Sequence, residues 1–293
     1  MMEKADLLTE FSKYLALEKR LSEATVSAYR YVVRAFLAYL EGKRLEVGET
    51  KPNDLSAYLA VQSGRGLKAS SVFGMGMAIR SFFRFLISKG HAQSDPSENI
   101  ELPKFHSRLP DPLTEAEVAR LLSFPAVRYV QIRDRAILEL LYCGLRVSEA
   151  LNLEKDRIHF EEGYVRICGK GNRERLVPIG RPASQALQAC LSERDRRFPG
   201  HPGPVFLTQR GRALSRGSFG YRLKAHARRA GIRRAVYPHL LRHCFASHMI
   251  QHGADLKSLQ EMLGHRHLST TAIYLHVSPQ RIIEVYQNSH PRA

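Results

Sequence analysis

The chain has 293 residues, of which 44% are hydrophobic and 25% charged, an ordinary composition for a globular protein of one large or two smaller domains. Lys and Arg outnumber Asp and Glu by 45 to 28, which gives a formal net charge of +17. This excess favours a polyanionic partner, above all nucleic acid, although an anionic lipid surface or non-specific adhesion also fits it.

The N-terminus, the apolar runs and the cysteines exclude several classes of protein. The first fifteen residues carry acidic groups and have no long apolar stretch, so we expect no signal or transit peptide. No apolar run approaches the ~18 residues of a membrane span, since Arg84 interrupts SFFRFLI. The four cysteines lack CxxC or zinc-knuckle spacing, so we expect reduced, packed thiols. These features predict a cytoplasmic protein.

The first hundred residues predict consecutive amphipathic helices. Apolar residues recur at spacings of three and four, as on the buried side of a helix. The predicted helices cover about 3–19, 22–41, 53–62 and 68–89.

The sequence FGMGM, residues 73–77, is unusual for the interior of the fourth helix. Each glycine there should lower the stability of the helix by about 1 kcal/mol relative to alanine. Either the glycines allow another segment to approach closely, which we favour, or the helix begins after them.

The stretch LPKFHSRLPDP, residues 102–112, predicts an extended linker, because it has three prolines and no apolar period. Thr114 and Glu117 then form a Thr-x-x-Glu capping box ahead of a new helix. We place domains at 1–105 and 112–293 and the linker at 106–111.

Most of the excess positive charge belongs to the second domain. Residues 1–107 carry 15 basic and 12 acidic side chains, and the remainder carry 30 and 16. We therefore expect the second domain to make many of the contacts with a polyanion.

The second domain is predicted to be helical except at GYVRICGKGNRERLVPIG, residues 163–180. Val165 and Ile167 alternate before the turn-rich GKGN, and Leu176 and Pro178 alternate after it. This pattern predicts a β-hairpin with Lys170 near its tip.

The stretch ILELLYCGLRVSEALNL predicts an apolar helix that ends at Gly144, with Arg146 at the junction to the next helix. Glu149 lies three residues further on and is able to hold the guanidinium by a charge-assisted hydrogen bond. The alternative is a surface ion pair that contributes ~0–1 kcal/mol.

The stretch PHLLRHCFASHMI, residues 238–250, predicts a helix whose first turn holds Pro238. His239 and Arg242 lie about 60° apart at ~100° per residue and are expected to project together towards a partner. A broad apolar side is expected to anchor the helix through Leu240, Leu241, Cys244 and Phe245.

The stretch GADLKSLQEMLGHRHLSTTAIYLH predicts a short helix that ends at Gly264, with His265 directly after it. Tyr274 follows nine residues later, within a short helix that Ser269 is able to cap. A metal site formed by His239 and His243 is disfavoured, because no third ligand is evident.

Six polar residues of the second domain match, in order and spacing, the signature of the tyrosine recombinases, which the chain resembles over essentially its whole length. The six are Arg146, Lys170, His239, Arg242, His265 and Tyr274. The compact length and the ending HVSPQRIIEVYQNSHPRA look most like the Xer subfamily of chromosome-dimer resolvases.

The resemblance implies a mainly α fold with a small β-hairpin. It implies a two-domain C-shaped DNA clamp, with a helical SAM-like core-binding domain and a catalytic domain. It also implies that the C-terminal segment PQRIIEVYQ docks on a neighbouring subunit, although packing on its own domain remains the alternative.

The resemblance also implies a role for each signature residue. Tyr274 would form a 3′-phosphotyrosyl link while Arg146 and Arg242 stabilise the phosphate. Lys170 would protonate the leaving 5′-oxygen, without a metal or other cofactor. His239 would act in proton transfer at the tyrosine, and His265 would donate a hydrogen bond to the phosphate.

The implied substrate is duplex DNA with a dif-type site, and the implied process is chromosome partition at cell division. The implied partners are a XerC-like recombinase in a heterotetramer and an FtsK-like DNA translocase. A phage or mobile-element integrase, a type IB topoisomerase and a non-catalytic DNA-binding protein remain open as alternatives.

Overall fold

The computed structural model describes residues 4–104, 111–168, 174–264 and 278–293. The chain divides into two compact units, Met1–Arg108 and Leu109–Ala293. The described residues are mainly helical with one small sheet, which confirms the predicted fold class. The predicted linker lies almost wholly outside these residues.

The first unit is a set of helices around an aromatic core. Its elements are α1 (Lys4–Lys13), a π-helical turn (Tyr14–Glu18), α2 (Glu23–Gly42), a 3₁₀ turn (Val47–Glu49), α3 (Pro52–Gly64) and α4 (Ala69–Ser88). Phe11 meets Phe82 edge to face with ring centroids 5.2 Å apart, and Phe36 meets Tyr58 at the same separation. Such pairs add about 0.5–1.5 kcal/mol beyond the burial of their area.

Helix α4 corrects the expectation that no segment is apolar enough to span a membrane. By length and composition alone it qualifies, because it has 20 residues and contains an 18-residue window with a mean hydropathy of 1.2. Seven of its apolar side chains are buried in the unit: Val72, Ala78, Ile79, Phe82, Phe83, Phe85 and Leu86. It is therefore the core helix of the first unit.

The two glycines of FGMGM lie inside α4 and have different surroundings. Gly76 is buried, and a Cβ placed there would lie 2.1 Å from Cδ2 of Leu102. Arg80 holds the same following segment, donating from Nε to the Ser97 carbonyl at 3.1 Å. Gly74 is exposed, and its Cβ would meet nothing within 4 Å. Close approach therefore explains Gly76, and nothing in the structure explains Gly74.

The second unit contains most of the helices. Its elements are α5 (Glu115–Leu122), α6 (Tyr129–Tyr142), α7 (Val147–Leu151), a 3₁₀ turn (Lys155–Arg157), β1 (Ile158–His159), β2 (Tyr164–Cys168), β3 (Glu174–Pro178), α8 (Arg181–Arg197), α9 (Arg216–Arg229), α10 (Pro238–Gln251), α11 (Leu256–Leu263) and α12 (Pro279–Ser289). The capping box of α5 forms as predicted, with the Thr114 amide donating to Glu117 at 2.8 Å.

The three strands form an antiparallel sheet in the order β1-β2-β3. The predicted hairpin is β2 and β3, and the two-residue β1 was not predicted because it is too short to show an alternation. Val165 pairs with Val177, and both are fully buried. The assignment of Leu176 to the alternating apolar set was therefore wrong, because Leu176 is half-buried and its neighbour Val177 lies opposite Val165.

Helix α6 runs through the core of the second unit, with α8 and α10 packed against it. Helix α12 also packs on this unit, since Ile282, Val285 and Tyr286 are buried. The Tyr286 hydroxyl lies 3.2 Å from Cys143 Sγ and accepts a hydrogen bond from the Gly180 amide. In this structure the C-terminal segment therefore packs on its own domain.

The two α4 glycines give a matched pair of substitutions. Gly74→Ala should raise the free energy of unfolding by ~0.5–1 kcal/mol, because alanine is the better helix former. Gly76→Ala should lower it by ~1–3 kcal/mol, because Leu102 must be displaced. Urea denaturation of the full chain measures both changes, and equal stability of the two variants would contradict the role given to Leu102.

Candidate active site

Three of the six predicted site residues fall within the described part of the chain: Arg146, His239 and Arg242. Lys170, His265 and Tyr274 lie outside it, so their roles remain predictions from the sequence. The described residues bring Arg146 and Arg242 to one place, at the C-terminal ends of α6 and α11.

Arg242 is buried, which corrects the expectation that it projects from α10 beside His239. Its side chain is 9% exposed, and its guanidinium donates to the carbonyls of Gly144 and Leu263. These carbonyls lie at the ends of α6 and α11, where backbone acceptors lack partners within the helix and the helix dipole is negative. The two helix ends therefore offset the cost of burying this cation.

Burial, with the charges of Arg146 and Arg175, lowers the pKa of Arg242 to about 10. The guanidinium remains protonated at neutral pH. His239 lies on the first turn of the same helix, but it is exposed.

Arg146 is held by the Glu149 carboxylate and by the carbonyl of Gly264 at the end of α11. It is the residue that precedes α7, and its amide donates to Glu149 Oε2 at 2.7 Å. Its Nη1 donates to Glu149 Oε1 at 2.7 Å, and its Nη2 donates to the Gly264 carbonyl at 3.2 Å. The side chain is nevertheless 35% exposed, so an anion from solvent can reach it.

Glu149 is the carboxylate that three arginines share. Its side chain is 11% exposed and contacts Arg146 and Arg175 directly, while Arg242 Nη1 lies 4.0 Å from Oε2. Burial raises the pKa of Glu149, but the hydrogen bond and charge of Arg175, together with the backbone and side-chain hydrogen bonds of Arg146, outweigh burial and hold the pKa at about 2. The pair with Arg146 is thus part of a network and is no isolated surface pair.

Arg175 is the residue of this network that sequence reasoning missed. It lies on β3, where its Nη1 and Nη2 donate to the two oxygens of Glu149 at 2.9 and 2.7 Å. The register places it opposite Ile167, and it lies two residues before the buried Val177. A charged residue at an inward position of the hairpin was the available signal.

The network has the charge that phosphoryl transfer requires. Three ionised arginines and one carboxylate carry a net charge of +2. A phosphodiester carries one negative charge and gains a second when an anionic nucleophile adds to phosphorus. Fixed donors placed at such a developing charge stabilise it without reorganising.

Family models match both units. The model of the phage integrase family matches residues 112–281, and the model of the phage integrase N-terminal SAM-like domain matches residues 8–90.

Curated relatives match along nearly the whole chain. Tyrosine recombinase XerD of Shewanella oneidensis is 41% identical over 290 residues, which cover 98% of this chain and 97% of that one. XerD of Pseudomonas aeruginosa is 39% identical over 290 residues, with the same coverage.

Among solved structures, the XerH site-specific recombinase bound to difH substrate in a pre-cleavage complex has the same fold. Its TM-score is 0.70 at 24% identity, and the match covers 98% of this chain and 82% of that one.

The shared carboxylate makes stability depend on pH. A carboxyl whose pKa is lower in the folded chain stabilises the fold above its unfolded value, about 4.3, and this contribution is lost as the pH falls towards about 2. Between about pH 5 and pH 2, the wild type should therefore lose up to about 3 kcal/mol more than Glu149→Gln does. Urea denaturation across this range measures the difference, and parallel curves for the two proteins would contradict it.

Proposed function

Since the chain belongs to the phage integrase family of tyrosine recombinases, we propose that Arg146 and Arg242 hold the scissile phosphate of DNA while Tyr274 attacks it. The protein is a site-specific tyrosine recombinase. The observation that carries the assignment of residues is the Glu149 network, in which a partly exposed Arg146 lies beside a buried, charged Arg242.

The cleavage step is an exchange of oxygens at phosphorus. The Tyr274 hydroxyl loses its proton as its oxygen bonds to phosphorus, and the bond from phosphorus to the 5′-oxygen breaks. The 5′-oxygen takes the electron pair of that bond and a proton from Lys170. The products are a 3′-phosphotyrosyl link and a free 5′-hydroxyl.

The remaining site residues complete the transfer of protons and charge. The unperturbed pKa of a tyrosine hydroxyl is about 10, so Tyr274 needs a group that accepts its proton. We assign this role to His239, because its exposed position on the first turn of α10 suits a group that meets substrate. His265 donates a hydrogen bond to a non-bridging oxygen.

Rejoining is the reverse of cleavage with a different strand. The phosphotyrosyl link conserves the energy of the broken phosphodiester, so the 5′-hydroxyl of a partner strand can attack it. ATP is therefore not required for the strand transfer itself, and the residues assigned here supply the charge stabilisation without a metal.

The proposed substrate is a dif-type site, and the proposed process is resolution of chromosome dimers in the cytoplasm, at the nucleoid. Support comes from the relatives named XerD, which match 98% of the chain, and from the difH substrate of XerH. These relatives favour this role over a mobile-element integrase, a topoisomerase or a non-catalytic protein. We propose that the protein's partners are a XerC-like recombinase in a heterotetramer and an FtsK-like translocase.

The positive charge of the chain supports binding to a DNA duplex. The net charge is +17, and most of it lies in the second unit, Leu109–Ala293, which is the catalytic unit. Phosphate contacts release counterions, so DNA affinity should fall steeply with salt.

The nucleophile is tested with a nicked suicide duplex that carries a dif-like site. Wild type should form a covalent adduct visible on a denaturing gel, without metal or ATP, because the nick lets the cleaved fragment diffuse away. Tyr274→Phe should bind the duplex equally well and form no adduct. An adduct that survives this substitution would show that another residue is the nucleophile.

The general acid is tested by changing the leaving group. Lys170→Ala should slow adduct formation by about 10²- to 10⁴-fold, the usual contribution of general acid catalysis. A sulfur in place of the 5′-bridging oxygen leaves without a proton, so it should restore the rate. If the sulfur substrate is cleaved as slowly as the oxygen substrate, Lys170 is not the acid.

A further inference from the structure

Arg175 joins three parts of the catalytic unit by one side chain. It lies on β3 and is 11% exposed. Two of its nitrogens donate to the two oxygens of Glu149, and its Nε donates to the Met262 carbonyl at 2.9 Å. Because the guanidinium is planar, one orientation satisfies all three acceptors.

The end of α11 is shaped around Arg175. Gly264 closes the helix in the left-handed conformation, with φ of +64°. A Cβ at Gly264 would lie 3.0 Å from Arg175 Cδ and 3.2 Å from its Nε. The carbonyl of the same glycine accepts a hydrogen bond from Arg146. Gly264 thus packs against one arginine and binds another.

The segments that meet at Arg175 are those that carry the chemistry. Lys170 lies five residues before Arg175 in the sequence, and His265 directly follows Gly264. Glu149 connects Arg175 to Arg146 and, at 4.0 Å, to Arg242. Among the groups that lower the pKa of the Glu149 carboxyl, Arg175 has the largest effect.

We propose that Arg175 is a positioning residue of the recombination reaction: it fixes the Glu149 carboxylate and the end of α11, and thereby aims Arg146 and Arg242 at the scissile phosphate. This inference rests on the phosphate-holding role proposed above for those two arginines. Arg175 itself does not touch the phosphate, because Glu149 and Met262 engage its fork and little of its side chain reaches solvent.

The substitutions that test this proposal are Arg175→Gln and Arg175→Lys, with Arg166→Gln as a matched control. Arg166 lies on the neighbouring strand β2 of the same hairpin, and its side chain is 39% exposed. Its Nε lies 3.9 Å from Glu174 Oε2. Its loss removes one positive charge from the hairpin and leaves the Glu149 network intact. The control therefore separates a general charge effect on DNA binding from the effect on the phosphate site.

The first measurement is the rate of adduct formation on the nicked duplex, beside a mobility-shift measurement of DNA binding. Arg175→Gln should react about 10- to 100-fold more slowly than wild type and bind DNA with an affinity within about threefold of it. The rate loss is smaller than the about 10²- to 10³-fold that removal of a direct electrostatic donor costs, because Arg175 acts only through other residues. Arg175→Lys should recover part of the rate, because it keeps the charge but not the fork. Arg166→Gln should react like wild type.

Two altered substrates distinguish positioning of the arginines from a merely structural role. A methylphosphonate at the scissile position removes the negative charge that the arginines hold, so Arg175→Gln should then cleave at nearly the wild-type rate. A 5′-bridging sulfur leaves without a proton from Lys170, so it should not restore the rate of Arg175→Gln. Rescue by sulfur alone, rescue by neither substrate, or an unchanged rate on ordinary DNA would each overturn the proposal.

A measurement that needs no activity keeps this inference separate from the proposed function. Urea denaturation of Arg175→Gln, Glu149→Gln and the double variant measures the coupling between the two side chains. The free energy of unfolding of the double variant should be no lower than that of the less stable single variant. Additive losses would overturn the inference even if Tyr274 forms its adduct, whereas a wild type without adduct would count against the proposed function alone.

Discussion

The catalytic unit depends on one buried carboxylate that balances several cations. Without Glu149, three guanidinium groups would lie close together at the ends of α6, α7 and α11, where their mutual repulsion and their burial would both be unfavourable. With it, they form one array that keeps a net positive charge, and Arg146 within it is partly exposed to solvent. The carboxylate that stabilises the fold therefore leaves the three arginines with a net positive charge, which the proposed phosphate contact would balance.

Helix ends provide the second part of this balance. Arg242 lies in a position that would be prohibitive for an isolated cation, but carbonyls from two helix termini accept its hydrogen bonds. Those carbonyls are free because a glycine follows each helix and ends its ladder: Gly144 has φ of +95° and Gly264 has φ of +64°. In this unit the positions of the glycines, the positions of the buried charges and the geometry of the site therefore depend on one another.

Much of this architecture could be predicted from the sequence, because its signals are local. Helical periodicity identified the helices of the first unit, and the capping box at Thr114 and the stop at Gly264 were found by their short-range patterns. Arg242 was wrongly expected to project, because a helical wheel does not show that two other helices end beside it. Arg175 was missed because its significance depends on strand register and on Glu149, which is 26 residues away in the sequence.

The hydrogen bonds of Arg242 also bear on when the chain becomes able to cut DNA. Its two carbonyl partners lie 98 and 21 residues away in the sequence, so both long loops must close before this guanidinium is oriented. Contacts of such separation form slowly compared with local helices. A chain emerging from the ribosome, or one that has partly unfolded, carries the positive charge that attracts DNA without the oriented arginines that would activate a phosphodiester. With the roles proposed for Arg146 and Arg242, DNA binding can therefore precede completion of the fold, whereas strand cleavage cannot.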